Sequence, residues 1–318
     1  MFFSYFIIKV VVFVKNYIKY YYELDVNDLI LIDDKYLFKS GDNKYILKLY
    51  SNLDIQFYYR KLENLLSEYK FFSKIIPNVE NKIITFINNK PYILLKIDLS
   101  LYNDKISIFD IRTDMLVNSS NWISNIKRFP WISLWENKID YLEKWTIEKK
   151  DQYKRIYPIL NFFLGVSENA LLYLKEIIKK SKLNFDNILA IQHDRVDCDE
   201  SLYDYYDPTS LVIDHPSRDI SEYIKTMIMS GEFESDVFEK YLNTKTFSKF
   251  DIMLMYSRMI FPSFFYDPFE KFVLKKSSTI ILDLEDKIKC FQTFLLQVSK
   301  ILSSKYGIEC PKWIFMID

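Results

Sequence analysis

The stretch Asn187–Asp219, NILAIQHDRVDCDESLYDYYDPTSLVIDHPSRD, contains two short apolar runs, and each of them ends in acidic residues. The first run, Ile188–Ile191, is followed by an acidic cluster that begins at Asp194. The second run, Ser210–Ile213, is followed directly by Asp214. We interpret both runs as strands. Two strands that end in carboxylates can direct those carboxylates into one cleft, which is the arrangement that a metal–nucleotide site requires.

Length and charge limit the possible classes of protein. The chain has 318 residues, which is enough for about two domains and a sizeable core. Its 43 Lys and Arg residues equal its 43 Asp and Glu residues, and the two signs are interleaved along the chain. Because there is no excess charge and no block of like charge, nothing attracts the chain to nucleic acid. The sequence therefore predicts a protein that does not bind nucleic acid.

The glycines and cysteines exclude several common sites. The four glycines form neither the GxGxxG motif of dinucleotide-binding folds nor a P-loop. The three cysteines, Cys198, Cys290 and Cys310, match no zinc-binding spacing. Free thiols are typical of a reduced, cytosolic compartment, and this is the compartment that we expect.

The first residues of the chain, Met1–Val14, are almost entirely apolar. This segment is shorter than the roughly 20 residues of a membrane-spanning helix. It also lacks the basic start and small-residue cleavage site of a signal peptide. We expect no transmembrane segment here. The segment is expected to pack on the core, and the alternative is that it lies on a membrane surface.

The residues before Asp98 predict a small β-rich domain. Runs of β-forming residues predict three strands, and the turn Ser40–Asn43 between the second and third indicates a hairpin. These are followed by one amphipathic helix and two further strands. The predicted strands are Leu29–Ile32, Tyr36–Lys39, Lys44–Tyr50, Lys82–Asn88 and Tyr92–Ile97, and the predicted helix is Leu53–Ile75.

Lys48 lies in the middle of the third predicted strand, on the same face as Ile46 and Tyr50. An unpaired lysine inside an apolar strand is unfavourable, so Lys48 should have an acidic or phosphate partner. Glu63 and Glu68 lie on the predicted helix, and either could be that partner. The alternative is that the strand is at an edge and Lys48 points into water.

From Asp98 onward the pattern becomes helical. Asp98–Asp104 is short and polar, and we interpret it as a hinge between an N-terminal β-rich domain, residues 1–97, and a mainly helical C-terminal domain, residues 98–318. Trp131 and Trp135 recur at helical spacing and are expected to fill the core. The predicted helices are Trp131–Gln152, Tyr153–Gly165, Val166–Leu183, Ile220–Ser230, Ser235–Tyr241, Lys249–Phe261 and Leu284–Tyr306.

Carboxylates cluster at the ends of the two strands. Asp194, Asp197 and Asp199 follow the first strand closely, and Asp214 ends the second. Since Mg²⁺ prefers a few carboxylates together with phosphate oxygens and waters, these residues are candidates for a metal site. The alternative is that Asp194 and Asp214 are solvated loop acids.

Asp219 has a different interpretation. With Glu222 three residues later, it is expected to form the N-cap and capping box of a helix over Ile220–Met229. The only two histidines of the chain, His193 and His215, are expected to be ordinary loop or core residues.

The order of these elements resembles the protein-kinase-like fold, with its small β domain, strand lysine, helix glutamates, hinge and helical domain. The segment Ile213–Glu222, IDHPSRDISE, resembles the aminoglycoside and choline phosphotransferase branch. Within that branch the chain looks most like the spore-coat kinase-like proteins of the CotS and YutH type. The resemblance covers roughly Leu29 to the C terminus and implies an α+β, bilobal kinase-like fold.

The resemblance also implies a nucleotide site. Lys48 would hold the phosphates of ATP, and Glu63, or else Glu68, would orient Lys48. Leu95–Asp98 would form the hinge segment that holds the adenine. ATP and Mg²⁺ are therefore the cofactors that the resemblance implies.

The catalytic and metal residues implied by the resemblance follow the two strands. Asp194 would be the catalytic aspartate that positions or deprotonates the attacking hydroxyl, and Asp199 and Asp214 would bind the metal. The chain has Gln192-His193-Asp194 where the family usually has His-Gly-Asp, and it has Asp199 where the family has asparagine.

Three functions are compatible with the sequence. The resemblance implies either a kinase-like, nucleotide-binding scaffold of the spore coat that has lost catalysis, or an active ATP-dependent phosphotransferase that acts on a small-molecule or protein hydroxyl. The scaffold predicts other spore-coat proteins as partners and a location in the cytoplasm or the spore coat. The third function, from a different class, is an unrelated α+β binding protein.

Overall fold

The computed structural model describes residues 13–32, 34–97, 105–118, 123–149, 151, 154, 156–181, 188–273 and 284–316. Residues 1–12 of the apolar start and the predicted hinge Asp98–Asp104 lie outside these ranges. The chain forms two compact units. Unit 1 comprises Met1–Ile106 and Glu200–Leu211, and unit 2 comprises Ser107–Asp199 and Val212–Asp318.

The described elements form a β-rich first part and a mainly helical second part. The strands are β1 (Asn27–Ile32), β2 (Lys35–Ser40), β3 (Asn43–Leu49), β4 (Lys74–Ile76), β5 (Thr85–Ile87), β6 (Lys90–Ile97), β7 (Ala190–His193) and β8 (Leu211–Asp214). The helices are α1 (residues 13–22), α2 (Ile55–Leu66), α3 (Ile132–Lys149), α4 (Tyr157–Lys180), α5 (Leu202–Tyr205), α6 (Ser217–Ser230), α7 (Ser235–Thr244), α8 (Lys249–Ile260), α9 (Ser263–Val273) and α10 (Leu284–Tyr306).

An antiparallel sheet forms the centre of unit 1. Its strands follow the order β1-β2-β3-β6-β4, and β5 also pairs with β6. The turns of two hairpins in this sheet contain residues with positive φ, namely Gly41 between β2 and β3 (55°) and Asn88 and Asn89 between β5 and β6 (51° and 61°). Glycine and asparagine adopt this conformation most readily, so the turn residues fix both hairpins. The predicted hairpin at Gly41 is confirmed.

Both faces of this sheet are covered. On one face, Ile18 of α1 packs into the same core cluster as Leu47 of β3. On the other face, Ile55 of α2 packs with Ile46 of β3. Successive side chains of a strand point to opposite faces, which is why the neighbours Ile46 and Leu47 belong to different clusters.

Helix α2 is much shorter than the predicted helix Leu53–Ile75, since it ends at Leu66. Beyond the helix, Phe72 contacts the ring of Tyr206 with 5.6 Å between ring centroids, and the chain then enters β4. The prediction of a helix over Leu53–Ile75 is therefore wrong beyond Leu66, because Phe72 packs in a ring cluster and Lys74–Ile76 forms a strand.

The segment Glu200–Leu211 belongs to unit 1, although the sequence analysis assigns it to the C-terminal domain. It contains the short helix α5. The backbone N–H of Ser73 donates to the carbonyl oxygen of Tyr206 at 3.0 Å, and Ile106 N–H donates to Glu200 at 3.0 Å. This segment therefore brings side chains to the β-rich unit from far along the chain.

Unit 2 is mainly helical, as predicted, with two corrections. The predicted helices Tyr153–Gly165 and Val166–Leu183 form one helix, α4, which passes through Gly165 without a break. Glycine lowers helix propensity by only about 1 kcal/mol, and the buried residues on both sides of Gly165 outweigh that preference. Helix α9 was not predicted, since it contains Pro268.

Two short strands, β7 and β8, pair with each other in the second unit, which confirms the strands predicted from the apolar runs. Two other segments extend this small sheet. Ile191 N–H donates to the carbonyl oxygen of Met115 at 2.9 Å, and Arg128 N–H donates to that of Ile213 at 2.9 Å. All residues of β7 and β8 are buried, so the carboxylates that follow them are held on a rigid base.

Candidate functional site

Asp214 is the last residue of β8, and its side chain is 0% exposed. The indole Nε1 of Trp131 donates to both carboxylate oxygens, at 2.8 and 2.9 Å. The backbone N–H of His215 donates to Oδ1 at 2.7 Å, and Nη1 of Arg218 donates to Oδ2 at 2.6 Å. Each oxygen thus accepts two hydrogen bonds.

This arrangement does not fit a divalent cation at Asp214. A metal ion binds a carboxylate through lone pairs that face the ion, together with phosphate oxygens or water. At Asp214 these positions are taken by donors, one of which is a guanidinium group that already neutralises the charge. The donors around Asp214 therefore do not fit the predicted role of this residue as a metal ligand.

Arg218 joins both acidic strand ends. In addition to Asp214, its Nε donates to the carbonyl oxygen of His193 at 2.6 Å. Its Nη2 donates to the carbonyl oxygen of Asp194 at 2.7 Å and lies 3.3 Å from Asp194 Oδ1. One planar guanidinium with fixed donors can hold three acceptors in a defined geometry, which a lysine cannot do.

Asp194, the predicted catalytic residue, follows β7, and its side chain is 60% exposed. It differs from Asp214 because it lines a pocket and, among the described residues, its carboxylate has one donor, Arg218 Nη2 at 3.3 Å. An exposed carboxylate of this kind is chemically able to accept a proton from a hydroxyl group. The catalytic role of Asp194 stays a prediction.

Asp219 has a role other than the predicted N-cap. Helix α6 begins at Ser217, and Pro216 is its N-cap, so Asp219 lies inside the first turn. Its carboxylate accepts from the backbone N–H of His193 at 2.8 Å and lies 2.6 Å from the Nδ1 atom of the same histidine. The N-cap prediction is wrong because the helix starts earlier than expected. Asp219 instead fixes the loop that carries Asp194.

Asp199, the other predicted metal ligand, lies on the exposed side of the same loop. A carboxylate oxygen of Asp199 lies within 4.8 Å of one from Asp197 and of Cys198 Sγ. The backbone N–H of Asp199 also donates to Asp197 Oδ1 at 3.0 Å, which is an ordinary loop contact. The metal-binding role of Asp199 stays a prediction.

Lys48 lies on β3 in unit 1, and its ammonium group forms an ion pair with Asp207. The expectation of an acidic partner is confirmed, but that partner is neither of the two predicted glutamates. Glu63 is exposed and accepts from the hydroxyl of Tyr59 at 3.0 Å, and Glu68 is exposed. The role of Glu63 in orienting Lys48 stays a prediction. Asp207 comes from the segment Glu200–Leu211, which belongs to this unit although it lies late in the chain.

A pocket of about 220 Å³ lies beside Asp194 in unit 2. Glu222 of α6 lines it and is buried between two cations: Lys225 Nζ donates to Oε1 at 2.9 Å, and Arg258 Nε lies 2.9 Å from the same oxygen. Burial would raise the pKa of Glu222, but these cations and two further arginines hold it well below its usual range. Glu222 is thus a buried anion among cations.

The pKa values of two cations in this cluster are also lowered, mainly by burial. Burial lowers the pKa of Lys225 to about 8, although Glu222 opposes the shift. Burial, assisted by repulsion from Arg218, lowers the pKa of Arg258 to about 10. At this site, burial and repulsion between neighbouring cations together outweigh the attraction of Glu222 for Lys225 and Arg258.

The lowered pKa of Lys225 predicts a pH dependence of stability. Between pH about 8 and about 10, unfolded chains still hold this proton, whereas the folded protein has released it. The free energy of unfolding should therefore gain a contribution from Lys225 as the pH rises through this window. We expect urea unfolding at pH 7.5, 8.5 and 9.5 to show a wild-type stability that rises relative to that of Lys225→Met. Parallel curves for the two proteins would contradict the prediction.

Sequence reasoning missed most of the residues that surround the acids. Arg218 had a local signal, because it lies four residues after Asp214. Trp131 was assigned to the core, which is correct for its ring, but its indole N–H also binds Asp214. Lys225 and Arg258 have no signal that distinguishes them from surface charges, and Glu222 is predicted only as a capping-box residue.

The fold of the two units is that of kinase-like phosphotransferases. An aminoglycoside phosphotransferase from Alicyclobacillus acidocaldarius is similar with a TM-score of 0.55 at 9% identity, covering 88% of this chain and 90% of that one. A spectinomycin phosphotransferase crystallised with ADP and spectinomycin gives 0.53 at 12% identity, with 88% and 92% covered. The choline kinase LicA from Streptococcus pneumoniae gives 0.51 at 12% identity, with 92% and 99% covered. The predicted α+β, kinase-like fold is confirmed.

The chain belongs to the family described as "Spore coat putative kinase YutH", whose model matches residues 15–304. The endospore coat-associated protein YutH of Bacillus subtilis (strain 168) is 28% identical over 163 residues, which are 46% of this chain. The match covers 48% of that protein, so the chain spans about half the length of this curated relative.

Family membership settles part of the functional question. The chain is a kinase-like protein of a spore-coat family, which removes the alternative of an unrelated α+β binding protein. In the ranges that the structure describes, no helix is both long enough and apolar enough to cross a membrane.

Proposed function

We propose that this chain is a non-catalytic, kinase-like scaffold of the spore coat, which binds ATP without Mg²⁺ and does not transfer its phosphate. The observation that carries the proposal is the buried Asp214 carboxylate, whose two oxygens accept from Trp131, His215 N–H and Arg218. In phosphoryl transfer the metal neutralises charge on the phosphates. A site whose strand-end carboxylate, Asp214, is already paired with an arginine lacks one of the ligands that would hold this metal. Here Arg218 occupies the place of that cation.

The family supports a proposal about partners and location. The relative in Bacillus subtilis is coat-associated by its name, and we propose that this chain also resides in the spore coat and contacts other coat proteins. The ATP component is supported by the fold, since a structural neighbour was crystallised with ADP. On this proposal Lys48 exchanges its partner Asp207 for the nucleotide phosphates.

Nucleotide binding is expected to be independent of metal. ATP should raise the melting temperature equally in EDTA and in Mg²⁺, because ligand binding to the folded state alone stabilises it by mass action. Lys48→Met should abolish the shift. Lys35→Met is the matched control, because Lys35 on the neighbouring strand also pairs with an aspartate, Asp204, and should keep the shift.

A single-turnover assay with γ-labelled ATP and a panel of hydroxyl compounds completes this test, and we expect no transfer of phosphate. A melting shift that requires Mg²⁺, or transfer of the label to an acceptor, would overturn the proposal. The absence of any ATP shift would remove its nucleotide component.

One observation favours a second candidate, an active ATP-dependent phosphotransferase. The Asp194 carboxylate is exposed and faces a pocket large enough for a small hydroxyl compound. The same single-turnover assay identifies this activity, because transfer would then be lost in Asp194→Ala while the melting temperature stays within a few degrees of wild type.

A further inference from the structure

Six cations line the pocket beside Asp194, and this feature is independent of any nucleotide. The wall also contains three aromatic side chains, those of Trp131, Trp135 and Phe261. The cationic lining residues are Arg128, Lys138, Arg195, Arg218, Lys225 and Arg258, and the acidic ones are Asp194 and Glu222. We propose that this pocket binds a small organic anion, with its phosphate or carboxylate group against Arg128 and Arg258 and its apolar part against Trp135 and Phe261.

The first argument is charge balance. Three lining cations have carboxylate partners just outside the lining: Asp214 pairs with Arg218, Asp267 with Arg195 and Glu270 with Lys138. With the two acidic lining residues, five carboxylates thus face six cations in the part of the chain that the structure describes. One of those carboxylates, Glu222, is shared by Lys225 and Arg258. The pocket therefore keeps an excess of positive charge.

The second argument is an unsatisfied buried donor. Arg258 is 5% exposed, and its Nε atom has no hydrogen-bond partner among the described residues. The atom lies close to Glu222 Oε1, at 2.9 Å, but that contact is an ion pair without hydrogen-bond geometry. A buried donor without an acceptor is unfavourable by about 1–3 kcal/mol, and by more for a charged group. An anion in the pocket would supply the acceptor.

Arg128 is a second guanidinium in the lining, and among the described residues it has no acidic partner. Within those residues its Nη1 donates to carbonyl oxygens, those of Asn125 at 3.3 Å and Lys127 at 3.4 Å. It is half-buried, so it can reach a ligand without a large loss of hydration. Guanidinium groups bind planar or tetrahedral oxyanions through paired hydrogen bonds, which suits a phosphate or a carboxylate.

The size and the apolar wall restrict the ligand further. Sites for drug-sized ligands usually exceed about 300 Å³, so a pocket of about 220 Å³ fits a smaller molecule. Trp135 and Phe261 stack on each other with 4.3 Å between ring centroids and present an aromatic surface. Arg258 lies over the ring of Trp131 at 4.9 Å, which holds its guanidinium in place.

Four probes with the same ring and different charge test the proposal: phenyl phosphate, benzoate, benzyl alcohol and benzylamine. Their binding is measured by calorimetry and by melting shift in EDTA, without nucleotide, so the result does not depend on the proposed loss of catalysis. We expect phenyl phosphate or benzoate to bind and the other two not to bind. The stronger of the two anions identifies the ligand as a phosphate or a carboxylate.

Arg128→Gln should weaken anion binding about tenfold or more, since one charge-assisted hydrogen bond contributes about 1.5–3 kcal/mol. Arg60→Gln is the matched control, because Arg60 is an exposed arginine on α2 that does not line the pocket, and it should bind like wild type. Equal binding of the neutral or cationic probes would overturn the proposal. So would equal affinities of the two variants, or no binding of either anion to wild type.

Discussion

Arg218→Met is expected to lower the free energy of unfolding by about 3–5 kcal/mol, because it leaves the buried Asp214 carboxylate without its cation. The substitution also removes the donors to the carbonyl oxygens of His193 and Asp194. Methionine retains much of the side-chain volume, so lost packing contributes less than lost charge and hydrogen bonding. Urea unfolding followed by circular dichroism measures the effect.

The matched control for Arg218 is Arg195→Met. Arg195 also forms an ion pair, with Asp267, but its side chain is 45% exposed and that of Asp267 is 33% exposed. Solvated pairs of this kind usually contribute less than about 1 kcal/mol. The double variant Arg218→Met with Asp214→Asn should recover part of the lost stability, because it removes the uncompensated charge. Equal losses for the two arginine variants would show that Asp214 does not need a cation in this fold.

The contact between Arg218 and Asp214 also affects metal binding. If Arg218 serves as the fixed counter-ion of Asp214, a divalent metal can bind there only by displacing a guanidinium that also holds two backbone carbonyls. Such a displacement would disturb the Asp194 loop itself. The same carboxylate therefore cannot bind a metal ion and keep its stabilising contact with Arg218. The proposed scaffold keeps the contact with Arg218 and does not bind the metal.

Local sequence patterns were sufficient for the features that depend on neighbours in the chain. The alternation in β3 placed Ile46 and Leu47 on opposite faces, and the glycine turn gave the hairpin. The apolar runs before Asp194 and Asp214 gave two buried strands that end in acids. Each of these features is decided within a few residues.

Features that depend on distant partners could not be predicted in this way. Lys48 was expected to meet a glutamate on the next helix, but it pairs with Asp207, which lies 159 positions later. The residues around Lys48 cannot indicate an ion pair with a residue so far along the chain. Arg218 is an intermediate case, because it lies only four residues after Asp214, whereas its contacts with the carbonyl oxygens of His193 and Asp194 are distant in the chain.

Glu222→Ala is the other substitution with a large expected effect, again about 3–5 kcal/mol of unfolding free energy. It leaves two buried cations, Lys225 and Arg258, without the carboxylate that both contact. Because the pKa of Lys225 is already lowered to about 8 and Glu222 opposes that shift, the variant should lower this pKa further. Lys225 is then expected to lose its proton near neutral pH, which limits the loss of stability.

Glu270→Ala is the matched control for Glu222. Glu270 also pairs with a lysine, Lys138, at 2.6 Å, but the two side chains are 32% and 28% exposed. Because water can solvate Lys138 after the substitution, the loss should stay below about 1 kcal/mol. An anion provides a second comparison, between Glu222→Ala and wild type. Phenyl phosphate or benzoate should raise the free energy of unfolding of Glu222→Ala more than that of wild type, because the anion replaces the missing negative charge beside Arg258. If the two variants lose equal stability, the cluster around Glu222 is solvated and not the buried excess of positive charge that the anion pocket requires.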